Sequence, residues 1–370
     1  MDIELGVPGQ IMPPADKALQ FAQRAEADGF DAVWWPDHLM NWFPDSIWTE
    51  DISPLTKYQK VHTHFDPLIM MSAIGSQLER TRVGVVVTDL LRRNPAMAAN
   101  ALLTLDHVTK GKAILGLGSG ERLNVEPYGI PFDKPVGRFE ESLHAMRMLM
   151  DTDEPVTWSG EHIALADAVL HLPPYGDTPP PIWTAAHGPR MLGITGRYAD
   201  GWLPTKMSPT EYGESLERIR SSGAEAGRDL ASFTPGMLGY ILVGPDEEAV
   251  ERMTRQALVR FLCVLLPSQV YRKLGFTPPL EGSGSGFHDF IPSRVSRAEA
   301  ERIVDAIDPS VVRYYAFCGT PETIVEELKP YHANGLRHLI LWNITAFGDP
   351  ELAGWSFEGL RRIKALLDEA

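Results

Sequence analysis

In the run VWWPDHLMNWF (Val33–Phe43) an aspartate and a histidine stand where a short apolar segment ends, and a tryptophan follows four residues later. An imidazole with an unperturbed pKa near ~6.5 can give or take a proton at neutral pH. His38 is therefore the candidate acid–base group, and Trp42 beside it would form a flat wall that excludes water from a reacting centre. Asp37 would orient neighbouring backbone, or turn inward where the strand geometry breaks. Taken singly, Asp37 capping a loop and His38 on the surface is an equally good reading, and Trp42 is what shifts the balance toward a site.

A second acid stands in GLGSGERLN (Gly116–Asn124). The run is not a dinucleotide fingerprint: with Gly116 and Gly118 as the first two glycines, the third place holds Glu121. A glycine-rich turn still permits close approach by a ligand, with Glu121 over it as an acid; the alternative is a tight turn with a solvated Glu. In TAAHGPRML (Thr184–Leu192), Ala185, Ala186 and Gly188 would let backbone N–H groups meet a phosphate, with Arg190 in the first helical turn. His187 reads as structural at least as well as ligand-binding. Arg92 and Arg93, before a helix start, and Lys206 are candidate cations. No His, Cys, Asp or Glu cluster has metal-ligand spacing, and no G-x-S-x-G elbow occurs.

These residues need elements that gather them. Short β-type runs at Asp2–Val7, Asp31–Pro36, Arg82–Thr88, Lys112–Gly118, Pro181–Ala186, Gly201–Thr205, Gly236–Gly244 and Arg337–Ile344 are each followed by a helical pattern. Eight such units predict a (β/α)8 TIM barrel, with an open doubly wound sheet as the alternative. In a barrel every candidate above falls at the C-terminal rim, where active sites are built. A hairpin is expected around Val156–Leu165. Two segments, 42–66 and 267–309, exceed ordinary loop length and would sit over that rim. No linker divides the chain, so residues 1–370 read as one domain.

Composition narrows the partners. A formal charge of −15 argues against a nucleic-acid or polyanion binder. Two distant cysteines, Cys263 and Cys318, fit a reduced compartment. The N-terminal residues lack the basic and apolar regions of a signal peptide, and no run reaches the ~18 apolar residues of a membrane span. A cytoplasmic protein acting on a small molecule is expected.

The ordered set of motifs resembles the bacterial luciferase-like superfamily, specifically its branch using the deazaflavin coenzyme F420. It comprises DH plus an aromatic, VVT…RNP, GLGSGE…N, AAHGP, ADGWLP and CGTPETIVEELKPYHANGLRHLIL, and covers nearly the whole chain. Asp37, His38 and Trp42, with Glu121 after the strand-four glycines, match the Asp-His-x3-Trp and Glu of its sugar-phosphate dehydrogenases. The insertion NWFPDSIWTEDISPL is most similar to phthiodiolone ketoreductases, which reduce a ketone on a long-chain lipid. The resemblance implies a ring lying against a bulge at Val85–Val86 that carries a non-prolyl cis peptide. Asp37 would bond the ring edge, and Thr88 and Asn124 would sit near ring or tail. Gly118, Ser119, Gly120, Ala185, Ala186 and Gly188 would cradle phosphate and ribityl chain. The branch's substrate-phosphate residues find no secure match, Lys206 sitting near one position only, so a phosphorylated sugar is not favoured. The implied reaction is hydride transfer between deazaflavin C5 and a carbonyl or secondary alcohol, with His38 as proton donor, Glu121 in support, and Trp42 and Lys206 meeting the substrate. The alternatives are an FMN-dependent monooxygenase of the same superfamily, an F420-dependent sugar or alcohol dehydrogenase, and a non-catalytic cofactor store. A homodimer is the family habit.

Overall fold

The structure, a computed structural model, describes residues 1–280 and 286–369. Most of the EGSGSG run thus lies outside the described residues. The strands are β1 (Glu4–Pro8), β2 (Ala32–Trp35), β3 (Arg82–Asp89), β4 (Ala113–Gly118), β5 (Val156–Ser159), β6 (Ala164–Ala168), β7 (Ile182–Thr184), β8 (Gly201–Trp202), β9 (Thr234–Val243), β10 (Ala316–Gly319) and β11 (His338–Asn343). β1, β2, β3, β4, β7, β8, β9 and β11 pair in parallel in that order, and β11 returns to β1. This is the closed eight-stranded TIM barrel that the sequence predicts. β5 and β6 form the expected antiparallel hairpin outside it.

One strand was not expected. β8 is two residues long, and beyond an isolated bridge at Thr205 its place beside β9 is taken by β10, which pairs with Tyr240–Val243. Its four residues, AFCG, follow a helix directly and carry no turn signal of their own.

Local chemistry sets the helices between strands. Asn94 caps the helix Pro95–Thr109 through its side chain, with Pro95 at the first position. Asp66 caps Pro67–Gly75 in the same way. Both caps lie at the C-terminal rim, which fixes how the loops after β2 and β3 leave the barrel. Strands β2 and β4 are wholly buried, because helices cover one face and barrel filling the other.

β3 carries the irregularity that matters for the site. From the pair Val85–Leu115 to the pair Thr88–Leu117, β3 advances three residues and β4 two, which is a one-residue bulge. The peptide Val86–Val87 is cis. The expected position, Val85–Val86, is therefore corrected by one residue: Val85 keeps its ladder pairing and the break begins after it. Gly116 makes room opposite, since a Cβ there would lie 2.1 Å from the Val85 carbonyl oxygen.

The two insertions meet over the rim. Phe43, Ile47 and Val61 of the first share a core with Phe261, Leu262, Phe290, Ala300 and Ile303. Arg297 bonds Thr49 and Asp51 across the same junction.

Candidate active site

A cavity of about 380 Å³ opens at the C-terminal end of the barrel. Its walls come from the segments after β2, β3, β4, β7 and β8 and from the inward faces of β9 and β11. The bulge supplies Val86 and Val87, while Gly118, Ser119 and Gly120 pass on a neighbouring side. Gly120 has φ +91°, a left-handed turn conformation that favours glycine, and it swings the chain so that Glu121 faces inward. Ala185, Ala186, His187 and Gly188 lead into the helix Pro189–Tyr198, and a Cβ on Gly188 would meet nothing within 4 Å.

Around His38 the expected residues converge. Its imidazole makes an edge contact with Trp42, ring centroids 4.7 Å apart at 79°. Nδ1 lies 2.7 Å from Nδ2 of Asn124 and 3.4 Å from Oε2 of Glu121. Burial, aided by the nearby Arg92 guanidinium and only partly opposed by Asp37, pulls the His38 pKa down to about 4, so the ring is neutral at pH 7. Burial pushes Glu121 the other way, up to about 7, despite the hydrogen bond from Asn124 and the field of Arg92. The enclosed indole N–H of Trp42 has no hydrogen bond of good geometry, yet it lies close enough to Glu121 to favour its carboxylate slightly.

Asp37 behaves differently. Burial would raise its pKa, but Arg92 and Arg93 outweigh that and hold it below the usual carboxylate range. Its Oδ2 lies 3.2 Å from Arg92 and 3.1 Å from Arg93. Arg92 also pairs with Asp89 at 2.5 Å, and Arg93 with Asp66 at 3.2 Å. The two arginines are thus consumed by carboxylates and are not offered to an anion. Thr88 bonds Arg93 and lines the cavity with Asp37.

The structure contradicts two expectations, Lys206 and Val85, and refines a third: Asn124 lines the cavity as the resemblance implies, but with its amide held by protein groups. Lys206 does not reach the cavity. Its Nζ donates to the carbonyls of Arg313 and Ala316 at 2.7 Å each and lies 2.7 Å from Glu327, so all three of its protons are spent inside the wall. Val85 does not line the cavity either. Successive strand residues point to opposite faces, and Val85 joins the core between barrel and helices, leaving Val86 and Val87 to face inward. Asn124, expected near ring or tail, lines the cavity with its amide fully engaged by protein: Oδ1 accepts from Leu39 and Met40, and Nδ2 donates to His38 and Glu121.

Several lining residues escaped sequence reading. Leu238 and Tyr240 on β9 and Trp342 on β11 are the inward alternates of strands buried on both faces, where no polarity pattern marks the side. Tyr240 is buried, and that burial pushes its phenol above its ordinary pKa. Phe287 comes from the second insertion and makes an edge contact with Trp42. His64, from the HTHF run of the first insertion, brings a second imidazole 5.5 Å from that of His38. Burial and the two nearby histidines pull its pKa down to about 3. His187 lines the wall, exposed to the solvent side, and its Nε2 accepts from the Thr205 N–H. Among the described residues, no group of three His, Cys, Asp or Glu side chains converges as metal ligands. No helix among them is long and apolar enough to cross a membrane.

The chain is similar to known proteins over nearly its whole length. The family model described as luciferase-like monooxygenase matches residues 3–338. A phthiodiolone/phenolphthiodiolone dimycocerosates ketoreductase of Mycobacterium tuberculosis (strain ATCC 25618 / H37Rv) is 36% identical over 337 residues, 90% of this chain and 88% of that protein. An F420-dependent glucose-6-phosphate dehydrogenase of Amycolatopsis mediterranei (strain U-32) is 28% identical over 355 residues, 94% of each. Among solved structures, an F420-dependent secondary alcohol dehydrogenase in complex with an F420–acetone adduct superposes with a TM-score of 0.73 at 21% identity, covering 98% of this chain and 99% of that one; at that identity the likeness speaks to the fold. A barrel broken by a bulge in β3, an Asp-His-Trp rim after β2 and relatives matching nine-tenths of the sequence agree, and this chain is an oxidoreductase belonging to the luciferase-like family.

Proposed function

We propose that the protein is an F420-dependent ketoreductase acting on a hydrophobic, lipid-like ketone. The observation that carries this reading is a neutral His38 held between Trp42, Asn124 and Glu121 at the wall of a largely apolar cavity. The name of the mycobacterial relative and the F420-dependent name of the second support the same class.

The residues present fit a flat tricyclic coenzyme. Val86 and Val87 give an apolar shelf, while Gly118, Ser119, Gly120, Ala185, Ala186 and Gly188 give a wall of small residues with exposed backbone. The open space at Gly188, at the head of a ten-residue helix, suits a phosphate. Asp37 and Thr88 would meet the ring edge. When bound, reduced F420 supplies a hydride from C5.

The remaining work belongs to the chain. Carbonyl reduction leaves an alkoxide that needs a proton, and the neutral His38 imidazole is the donor. Such acid help is worth roughly 10²–10⁴ in rate. Glu121, pushed up to about 7 and 3.4 Å from Nδ1, can pass its own proton to Nδ1 as the Nε2 proton leaves, so that the ring ends neutral and Glu121 ends as a carboxylate. Trp42, Tyr240, Phe287 and Trp342 exclude water and receive the apolar part of the substrate. Arg92 is the one arginine or lysine lining the cavity among the described residues, and Asp37 and Asp89 hold it. A phosphorylated sugar would find no free cation here, which separates this reading from the sugar-phosphate dehydrogenases.

Titration of the purified protein with reduced F420 and with reduced FMN tests the cofactor, and F420 oxidation on addition of long-chain ketones tests the substrate. Tight F420 binding with turnover of apolar ketones is the expected result. Micromolar FMN binding without F420 binding would make it a flavin monooxygenase instead.

A further inference from the structure

The proton that His38 would deliver has an address, and the hydrogen-bond geometry around Asn124 determines it. Backbone N–H groups only donate. The Asn124 atom that meets the N–H of Leu39 at 2.8 Å and of Met40 at 3.0 Å must therefore be its oxygen. The other terminal atom is the NH₂, and its two hydrogens go to Nδ1 of His38 at 2.7 Å and Oε2 of Glu121 at 2.9 Å. An amide NH₂ cannot accept, so Nδ1 of His38 must be bare. A proton on Nδ1 would point at another proton 2.7 Å down the line.

Glu121 does not disturb this. At 3.4 Å it is the more distant neighbour of Nδ1, and in its acid form it too could only donate there. A neutral imidazole bare at Nδ1 carries its proton on Nε2. No hydrogen bond of good distance and angle reaches Nε2 among the described residues, although the Met40 backbone lies close enough to the ring to favour its protonated form slightly, and His38 lines the cavity.

We infer that Asn124 is a positioning residue that locks His38 in the Nε2–H tautomer and so presents a proton donor, not an acceptor, to the guest in the cavity. Its oxygen also pins the two residues after His38, so one side chain sets both where the ring stands and which nitrogen carries the proton. The assignment rests on the ketone-reducing reading for its chemical purpose, and on geometry alone for its content. The charged or titratable groups facing the ring are Asp37 after β2, Asp89 at the end of β3 and Arg92 after it, Glu121 after β4, and His64 from the first insertion.

The test is a long-range proton–nitrogen correlation spectrum of protein grown on ring-¹⁵N histidine, with His38 assigned by its loss in His38→Gln. In the unsubstituted protein at pH 7, His38 should have a bare Nδ1 and a protonated Nε2. Asn124→Asp keeps an acceptor for Leu39 and Met40 but sets an acceptor beside Nδ1, so Nδ1 should gain a proton. Ketone reduction by that variant should then lose about 10–100-fold in kcat with KM within about twofold. A protonated, hydrogen-bonded Nδ1 in the unsubstituted protein overturns the inference, and so does an unchanged ring in Asn124→Asp. Should that variant not fold, the first spectrum still decides. The predicted tautomer in a protein that ignores F420 would sink the functional reading alone; turnover of ketones with Nδ1 protonated would sink the tautomer assignment alone.

Discussion

Two carboxylates flank His38, both withdrawn from water, and they end in opposite states. Asp37 stays ionised, its pKa lowered; Glu121 is pushed up to about 7 and holds a proton about half the time at neutral pH. Burial penalises the charge of each. Asp37 faces two guanidiniums at 3.1–3.2 Å, whereas the nearest donor to Glu121 is the neutral amide of Asn124 at 2.9 Å. A full positive charge at contact distance restores a buried anion, and an amide dipole does not. The rim is thereby divided into a fixed ionic brace after β2 and β3 and a cluster beside it in which protons can move.

That division can be broken from either side. The largest expected effect is on the proton cluster: His38→Gln should lower kcat for ketone reduction by about 10²–10⁴ while leaving the unfolding midpoint unchanged, read by steady-state kinetics beside a denaturant titration. On the brace, Asp37→Leu strands Arg92 and Arg93 with one carboxylate each. It should cost about 3–5 kcal/mol of unfolding free energy in urea, the range for removing one member of a buried ion pair. A loss under about 1 kcal/mol would mean that the brace is solvated and the contrast unfounded.

Glu121→Gln sharpens the comparison through pH. Between the ordinary Glu pKa near 4.5 and about 7, the folded protein keeps the Glu121 proton that the unfolded chain has released. Stability therefore falls as pH rises through that window, by about 3 kcal/mol, and the Gln variant should lack that part of the slope. Equal slopes in both proteins would refute the raised pKa. The smallest effect is expected at Lys206→Met, which leaves two carbonyls and Glu327 without their donor. Stability should drop by about 1–3 kcal/mol with KM for the ketone within about twofold, because this lysine serves the wall and not the cavity. A large rise in KM would restore it as a substrate contact.

The sequence reading named residues that the structure brings together at the cavity and misjudged their surroundings for identifiable reasons. Asp37, His38, Trp42 and Glu121 were legible because the ends of barrel strands can be counted and polar residues there stand out against apolar runs. Lys206 also follows a strand end, but whether a side chain turns into the mouth or back into the wall depends on the carbonyls of Arg313 and Ala316, more than a hundred residues away. Val85 was misplaced by one because four consecutive buried-type residues, Val85 to Thr88, give no clue to which one the bulge inserts. Tyr240, Phe287 and Trp342 reach the cavity, and His64 the ring of His38, by long-range packing, and nothing in their own neighbourhoods marks them.

What the sequence determined by itself is the periodic alternation that makes a barrel, the caps at Asp66 and Asn94 that start its helices, and the identity of the groups able to exchange protons. Only the tertiary structure decided which of those groups keep their charge. A pKa is set by the fields of atoms within a few ångströms, and around His38 those atoms arrive from β2, β3, β4 and an insertion far apart along the chain.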